Sequence, residues 1–331
     1  MLHKSAVVIN TLDSTHAEKI NSGFVGKQLA GGVTAINVTC VDVIGINDFS
    51  HGVYGLKEFR RTFAKVDPER TMVVRKTSDI PAAKKEGKLG VILGMQDLRP
   101  IEDNLDHLEV FHELGLRIGQ LTYNRQNLIG CGCAEPSNGP LSLFGRQVVR
   151  TMNDLGIVVD LAHVGERTAL DAIEVSSKPL IFSHCDARGL RTHFRNITDA
   201  CLKAVAAKGG VVGVAAMSRF LVYDCVTRGS NLDDWLRHLD YMVEMIGPDH
   251  VGIGLDVGQS RTEEDVNRLN TRFPEFLKDL PPLSLRFNSD LNTPDKTPKI
   301  TEALVKRGYS EADIRNILGL NFLRVFEQVW G

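Results

Sequence analysis

Short apolar, β-branched runs recur along this chain with amphipathic helical segments between them, and that alternation narrows the folds open to it. Eight such runs occur, at residues 6–9, 33–39, 90–93, 118–122, 157–161, 180–183, 210–214 and 250–255. Most are continuously apolar, the pattern of parallel strands covered on both faces. Helical periodicity occupies residues 55–64, 79–86, 105–114, 142–155, 167–175, 199–207, 232–246 and 299–329. Eight strands alternating with helices predict an α/β fold of the (β/α)8 TIM-barrel type, with a doubly wound sheet as the alternative. The length of 331 residues and 43% hydrophobic content suffice for one such barrel. No repeat, low-complexity tract or linker divides the chain, so residues 1–331 are read as a single domain. Residues 262–298, rich in Asn, Asp, Arg and Pro, read as an insertion after the eighth strand: a surface excursion, a lid or an oligomer contact.

Charge excludes several classes of partner. The 39 basic and 41 acidic side chains leave a formal net charge of −2, without the basic footprint that nucleic acid or an anionic membrane requires. The opening residues lack a secretory apolar segment, and no run approaches the roughly 18 apolar residues of a membrane span. A cytoplasmic protein acting on a small molecule is the expectation. Among six scattered cysteines only Cys131 and Cys133 are close; a lone CxC is a weak zinc signal, and reduced thiols are predicted.

In a barrel the chemistry gathers at the C-terminal ends of the strands. The polar residues there are Asn10 and Thr11, then Gln96 and Asp97, Tyr123 and Asn124, His163, His184 and Asp256. Two histidines and an aspartate around one rim have the chemistry of a metal site, because neutral imidazole suits zinc and a carboxylate serves as base or ligand. Singly, each also has an ordinary structural reading: His163 as a core histidine, His184 and Asp256 as caps. Arg195, just before a helix that Asn196 or Thr198 caps, suits bidentate capture of a carboxylate, or is a plain surface arginine.

These residues lie in longer stretches: LGLRIGQLTYNRQN (114–127), PLSLFGRQVVRTMNDLGIVVDLAHV (140–164), KPLIFSHCDAR (178–188), RNITDACLKAVAAKGGVVGV (195–214), HVGIGLDVG (250–258) and GYSEADIRNILGLNFLRVF (308–326). In combination they make the chain resemble the renal (membrane) dipeptidase family, peptidase family M19, among the amidohydrolase-like barrels. The resemblance implies a zinc hydrolase of dipeptides, in some members of β-lactam amides, with two zinc ions bridged by a glutamate. It assigns His163 and His184 to the second zinc, Asp256 to the attacking water, Arg195 to the substrate carboxylate, and Asn127 to substrate binding. Tyr123 stands where the family has a carbonyl-polarising histidine.

The first strand departs from the family. Its His-x-Asp falls on Leu12 and Ser14, preceded by Asn10, and the bridging glutamate falls on Gln96. Leucine cannot ligate, serine ligates zinc poorly and glutamine carries no charge to bridge two dications, so a two-zinc centre is not expected. Asp13 and His16 lie nearby, but strand alternation turns Asp13 away from the side of Leu12. The expectation is at most one zinc per chain at His163 and His184, with the Gln96 carbonyl as a weak ligand, in a hydrolase of small carboxylate-bearing amides. Asp256 and Tyr123 are its catalytic pair. The alternatives are a binding or regulatory descendant without hydrolysis and a metal-free acid/base enzyme. A homodimer follows from the resemblance alone.

Overall fold

The structure, a computed structural model, describes residues 1–258, 262–274 and 280–330. Among them are nine parallel strands: β1 (Ile9–Asp13), β2 (Ala35–Thr39), β3 (Thr71–Val73), β4 (Leu89–Met95), β5 (Leu116–Gln120), β6 (Val158–Asp160), β7 (Ile181–Cys185), β8 (Val211–Val214) and β9 (Val251–Ile253). Eight of them close a barrel, because β9 pairs back to β1 and β2 pairs directly with β4. The fold is the TIM barrel that the alternation predicts. The ninth strand, β3, shares one side of β4 with β5: it pairs near Leu89–Val91, and β5 takes over from Leu93.

Helices cover the barrel and carry the capping residues their starts require. Asn21, Asp48, Ser142, Thr198 and Asn231 each accept a first-turn amide hydrogen. The helix predicted at 55–64 thus begins at Phe49, behind Asp48, and runs to Val66. Thr198 caps the helix Asp199–Ala207, while Asn196 spends its amide on the Arg191 and Phe220 carbonyls. After β9 the chain forms helices Glu263–Arg272 and Leu283–Arg286; residues 275–279 of the expected insertion lie outside the described residues. No described helix is long and apolar enough to cross a membrane.

Two segments differ from the sequence expectation for physical reasons. The apolar run at 6–9 precedes the first strand, since Ala6 and Val8 are buried in the layer between barrel and helices. The strand itself reads INTLD and is wholly buried. Its polar groups are satisfied across the barrel: Asn10 accepts from the Leu255 amide at 2.9 Å, and Thr11 donates to the Ser183 carbonyl at 2.6 Å. The C-terminal stretch, expected as one helix, divides into Pro298–Lys306, Glu311–Arg315, a widened turn at Asn316–Leu320, and Asn321–Trp330. The break lets Gly319 pass the Val7 carbonyl, where a Cβ would lie 2.6 Å from the oxygen.

That last helix plugs the bottom of the barrel. Phe322, Val325, Phe326 and Val329 pack with Ile9, Ala35, Ile92, Ile118, Val158, Ile181 and Val211, one residue from each of seven barrel strands. The eighth contributes Gly252, whose missing side chain makes room for the Phe322 ring. Phe322→Ala should therefore cost about 3–5 kcal/mol in urea unfolding, and a loss under about 1 kcal/mol would contradict this role of the plug.

A buried histidine fastens the loops above the barrel. His238, in helix Leu232–Ile246, accepts from the Ala187 amide and donates to the Leu221 carbonyl, both at 3.0 Å. Only a neutral ring does both, and burial pushes its pKa down to about 4. The unfolded chain takes up the proton near about pH 6.5, so this contribution is full above that pH and is lost as pH falls toward the folded value. His238→Gln should remove about 1 kcal/mol from the change in unfolding free energy between about pH 6 and pH 5, whereas an unchanged slope would refute the assignment.

Candidate active site

The C-terminal rim brings most of the expected residues together. His184 projects from β7, His163 follows β6, Gln96 follows β4, Tyr123 follows β5 and Asp256 follows β9. His163, Asp256 and Asn124 hold φ values of 62°, 53° and 60°. Left-handed backbone is costly for such residues, and its clustering at one rim marks a place where side-chain direction overrides local preference.

Each histidine is oriented through its Nδ1. His163 Nδ1 lies 2.7 Å from Asn124 Oδ1, and that oxygen can only accept, so the ring donates there. His184 Nδ1 lies 2.7 Å from Ser183 Oγ, whose own hydrogen goes to Asp160 Oδ2 at 2.6 Å. The ring therefore donates to the serine. Both protons being committed, both Nε2 atoms present lone pairs, and these face each other at 3.0 Å. Burial, Arg195 and the His184 ring hold His163 well below the usual histidine range; burial and Arg195 do the same for His184. Two neutral rings with unprotonated nitrogens in apposition have the donor chemistry of a metal-ligand pair, at a separation close to the roughly 3.3 Å of two nitrogens on one tetrahedral zinc. The residues fit one zinc ion in this respect.

They do not fit two. Among the described residues no third histidine, cysteine or carboxylate completes a metal-binding group. Gln96 Nε2 lies 3.2 Å from His184 Nε2, a donor aimed at the lone pair, so Gln96 would ligate only with its amide turned to present oxygen. Leu12 is fully buried, and Ser14 donates to the Asp256 carbonyl at 3.3 Å. Asp13 turns away, as alternation requires, accepting from Thr15 and Gln28, and His16 is exposed. In the CxC pair, Cys131 Sγ accepts from the Gly139 amide, and burial pushes the Cys133 thiol up to about 12.

Arg195 is 3% exposed and no surface arginine. It donates to the His184 carbonyl at 2.6 Å and the Cys185 sulfur at 3.0 Å, while its buried Nε meets no acceptor among the described residues. Asp256 contributes negative field at Arg195. Tyr123 stacks on His163 at 4.1 Å, and Phe273, at the end of helix Glu263–Arg272, packs on Tyr123 at 5.4 Å. Asn127 stands apart from this group. Its oxygen accepts from Ile129 and Gly130, and its nitrogen donates to the Leu121 carbonyl and Asp97, so its amide braces its own loop.

Sequence reasoning overlooked Asp160, Ser183, Asp186 and Phe273. The first two hide at the ends of apolar strands, though an aspartate closing a buried run is itself a signal. Asp186 is fully buried, and burial raises its pKa well above the carboxylate range. Nothing in the sequence near Phe273 predicts that it reaches Tyr123.

Comparison with known proteins agrees with this fold. The amidohydrolase from Pseudomonas aeruginosa is 34% identical, with a TM-score of 0.88 over 100% of this chain and 98% of that one. Dipeptidase AC, a metallopeptidase of family M19, shares the fold with a TM-score of 0.83 at 22% identity over 99% of both chains. Dipeptidase tcpJ of Claviceps purpurea is 28% identical over 86% of this chain, which spans only 63% of that relative's length. The membrane dipeptidase family, peptidase family M19, matches residues 6–281 and 284–330. The chain belongs to this family.

Proposed function

We propose that this protein is a metal-dependent hydrolase that cleaves the amide bond of a small, dipeptide-like substrate bearing a carboxylate, with one zinc ion held by His163 and His184. The observation that carries the reading is the apposition of two bare Nε2 atoms at 3.0 Å, each fixed by a partner on Nδ1. Membership of a dipeptidase family supports the reaction class. Zinc held there supplies Lewis-acid chemistry toward water and a carbonyl oxygen.

The chain's own groups do the rest. Asp256, fixed by its amide on the Leu12 carbonyl at 3.2 Å, takes the proton of the attacking water. Tyr123, stacked on His163, donates its phenol hydrogen to the substrate carbonyl oxygen as charge develops there. Arg195 anchors the substrate carboxylate with the donors that Cys185 and the His184 carbonyl leave over. Asn127 acts one step back, holding the loop that carries Tyr123.

A second reading, a binding or regulatory protein that kept the pocket without hydrolysis, draws on the first strand. Leu12 is buried, and Asn10 and Ser14 are hydrogen-bonded to the backbone at Leu255 and Asp256.

Metal content separates the two. Protein purified without chelators should carry about one zinc per chain by elemental analysis, and no bound metal would sink the first reading. His184→Ala should lose the metal. Arg195→Lys should keep it while raising KM for a carboxylate substrate at least roughly tenfold with kcat changed little, since a point charge replaces a planar fork. Two tightly bound metals would overturn the account of the first strand.

A further inference from the structure

We propose that Asp160 is a positioning residue that sets the tautomer of His184 through the Ser183 hydroxyl, and thereby turns a bare Nε2 toward the pocket. The inference deepens the metal-site reading above and rests on it for its purpose, though its geometry stands alone. Asp160 ends β6 and is 2% exposed. Its Oδ1 accepts two amide hydrogens, from Ala162 at 3.0 Å and Ser183 at 2.9 Å, which leaves Oδ2 for the Ser183 hydroxyl at 2.6 Å. Burial raises the pKa of this carboxyl, and the three donors and the Arg195 charge act against that. A carboxylate can only accept, so the serine hydrogen points to it and the serine lone pair is left for His184 Nδ1.

Ser183 is itself locked in place. Its carbonyl accepts from Thr11 at 2.6 Å, and Gly254 passes so close that a Cβ would fall 1.8 Å from that oxygen. The serine thus has little freedom to seek another partner.

The direction of the relay is what matters. Should the group at position 160 donate instead of accept, the serine hydrogen would turn to His184 Nδ1, and the ring proton would move to Nε2. There it would point at the His163 nitrogen and close the ligand position. Asp160→Asn makes this change with almost no change in shape: the carboxamide nitrogen donates to Ser183 Oγ, and the amide oxygen still accepts from Ala162 and Ser183.

The test reads the tautomer directly, by NMR of metal-free protein carrying histidine labelled with heavy nitrogen. Wild type should show His184 protonated on Nδ1, Asp160→Asn should show it protonated on Nε2, and zinc affinity should fall roughly 10- to 100-fold. Ser183→Ala, which cuts the relay without changing the carboxylate, should leave a mixture of tautomers, and Ser183→Thr should restore the Nδ1 form. Should Asp160→Asn not fold, the serine pair carries the test. An Nε2 proton on His184 in wild type, or the same tautomer in wild type, Asp160→Asn and Ser183→Ala, would overturn the inference. Wild type that shows the Nδ1 form but binds no zinc would support the relay and defeat the metal reading instead.

Discussion

Two neutral imidazoles whose bare nitrogens face each other across 3.0 Å repel, unless something positive lies between them or each is held from behind. In this barrel both are held from behind. Asn124 fixes His163, and Ser183 with Asp160 fixes His184, while burial and the Arg195 charge keep protons off the pair. The cost is spread over the fold: left-handed backbone at Asn124 and His163, and a carboxylate at the end of a strand that is otherwise apolar. Such an arrangement persists only where the surroundings over-determine it, and here β6, β7 and the loop after β5 do so together.

The same logic accounts for the first strand. A second metal would need ligands from β1 and a bridging acid after β4, and those positions hold Leu12, Ser14 and Gln96. Each makes a different contact here. Leu12 is buried, Ser14 bonds the Asp256 carbonyl, and Gln96 donates toward His184. Asn10 stitches β1 to the end of β9, directly before Asp256. On the β1 side of the rim, Asn10, Ser14 and Gln96 thus lend polar support to the side that holds the histidines, Asp256 and Arg195.

Much of this was legible in the residues. Alternating apolar runs and helical segments point to parallel strands covered on both faces, and the count of eight favours the barrel over a doubly wound sheet. His163, His184 and Asp256 stand out because each is a polar residue just past an apolar run, whereas Arg195 is singled out only by the family resemblance. What stayed hidden depends on distance along the chain. Three-residue β3 is too short to show a period, and the apolar run at 6–9 masks a first strand that is half polar, whose Asn10 and Thr11 find partners far along the chain at Leu255, Ser183 and Ile253. Asn127 looks like a free amide beside Tyr123 until its loop closes around it. Phe273 reaches Tyr123 from a segment with no apolar period of its own.

The claim on which the account rests is that one metal ion belongs between His163 and His184 and none belongs beside β1. Crystals grown with zinc, measured on both sides of the zinc absorption edge, test it most directly. The account predicts a single anomalous peak within about 2.0–2.1 Å of both Nε2 atoms. No peak there, or a second peak beside Leu12 and Ser14, would contradict it.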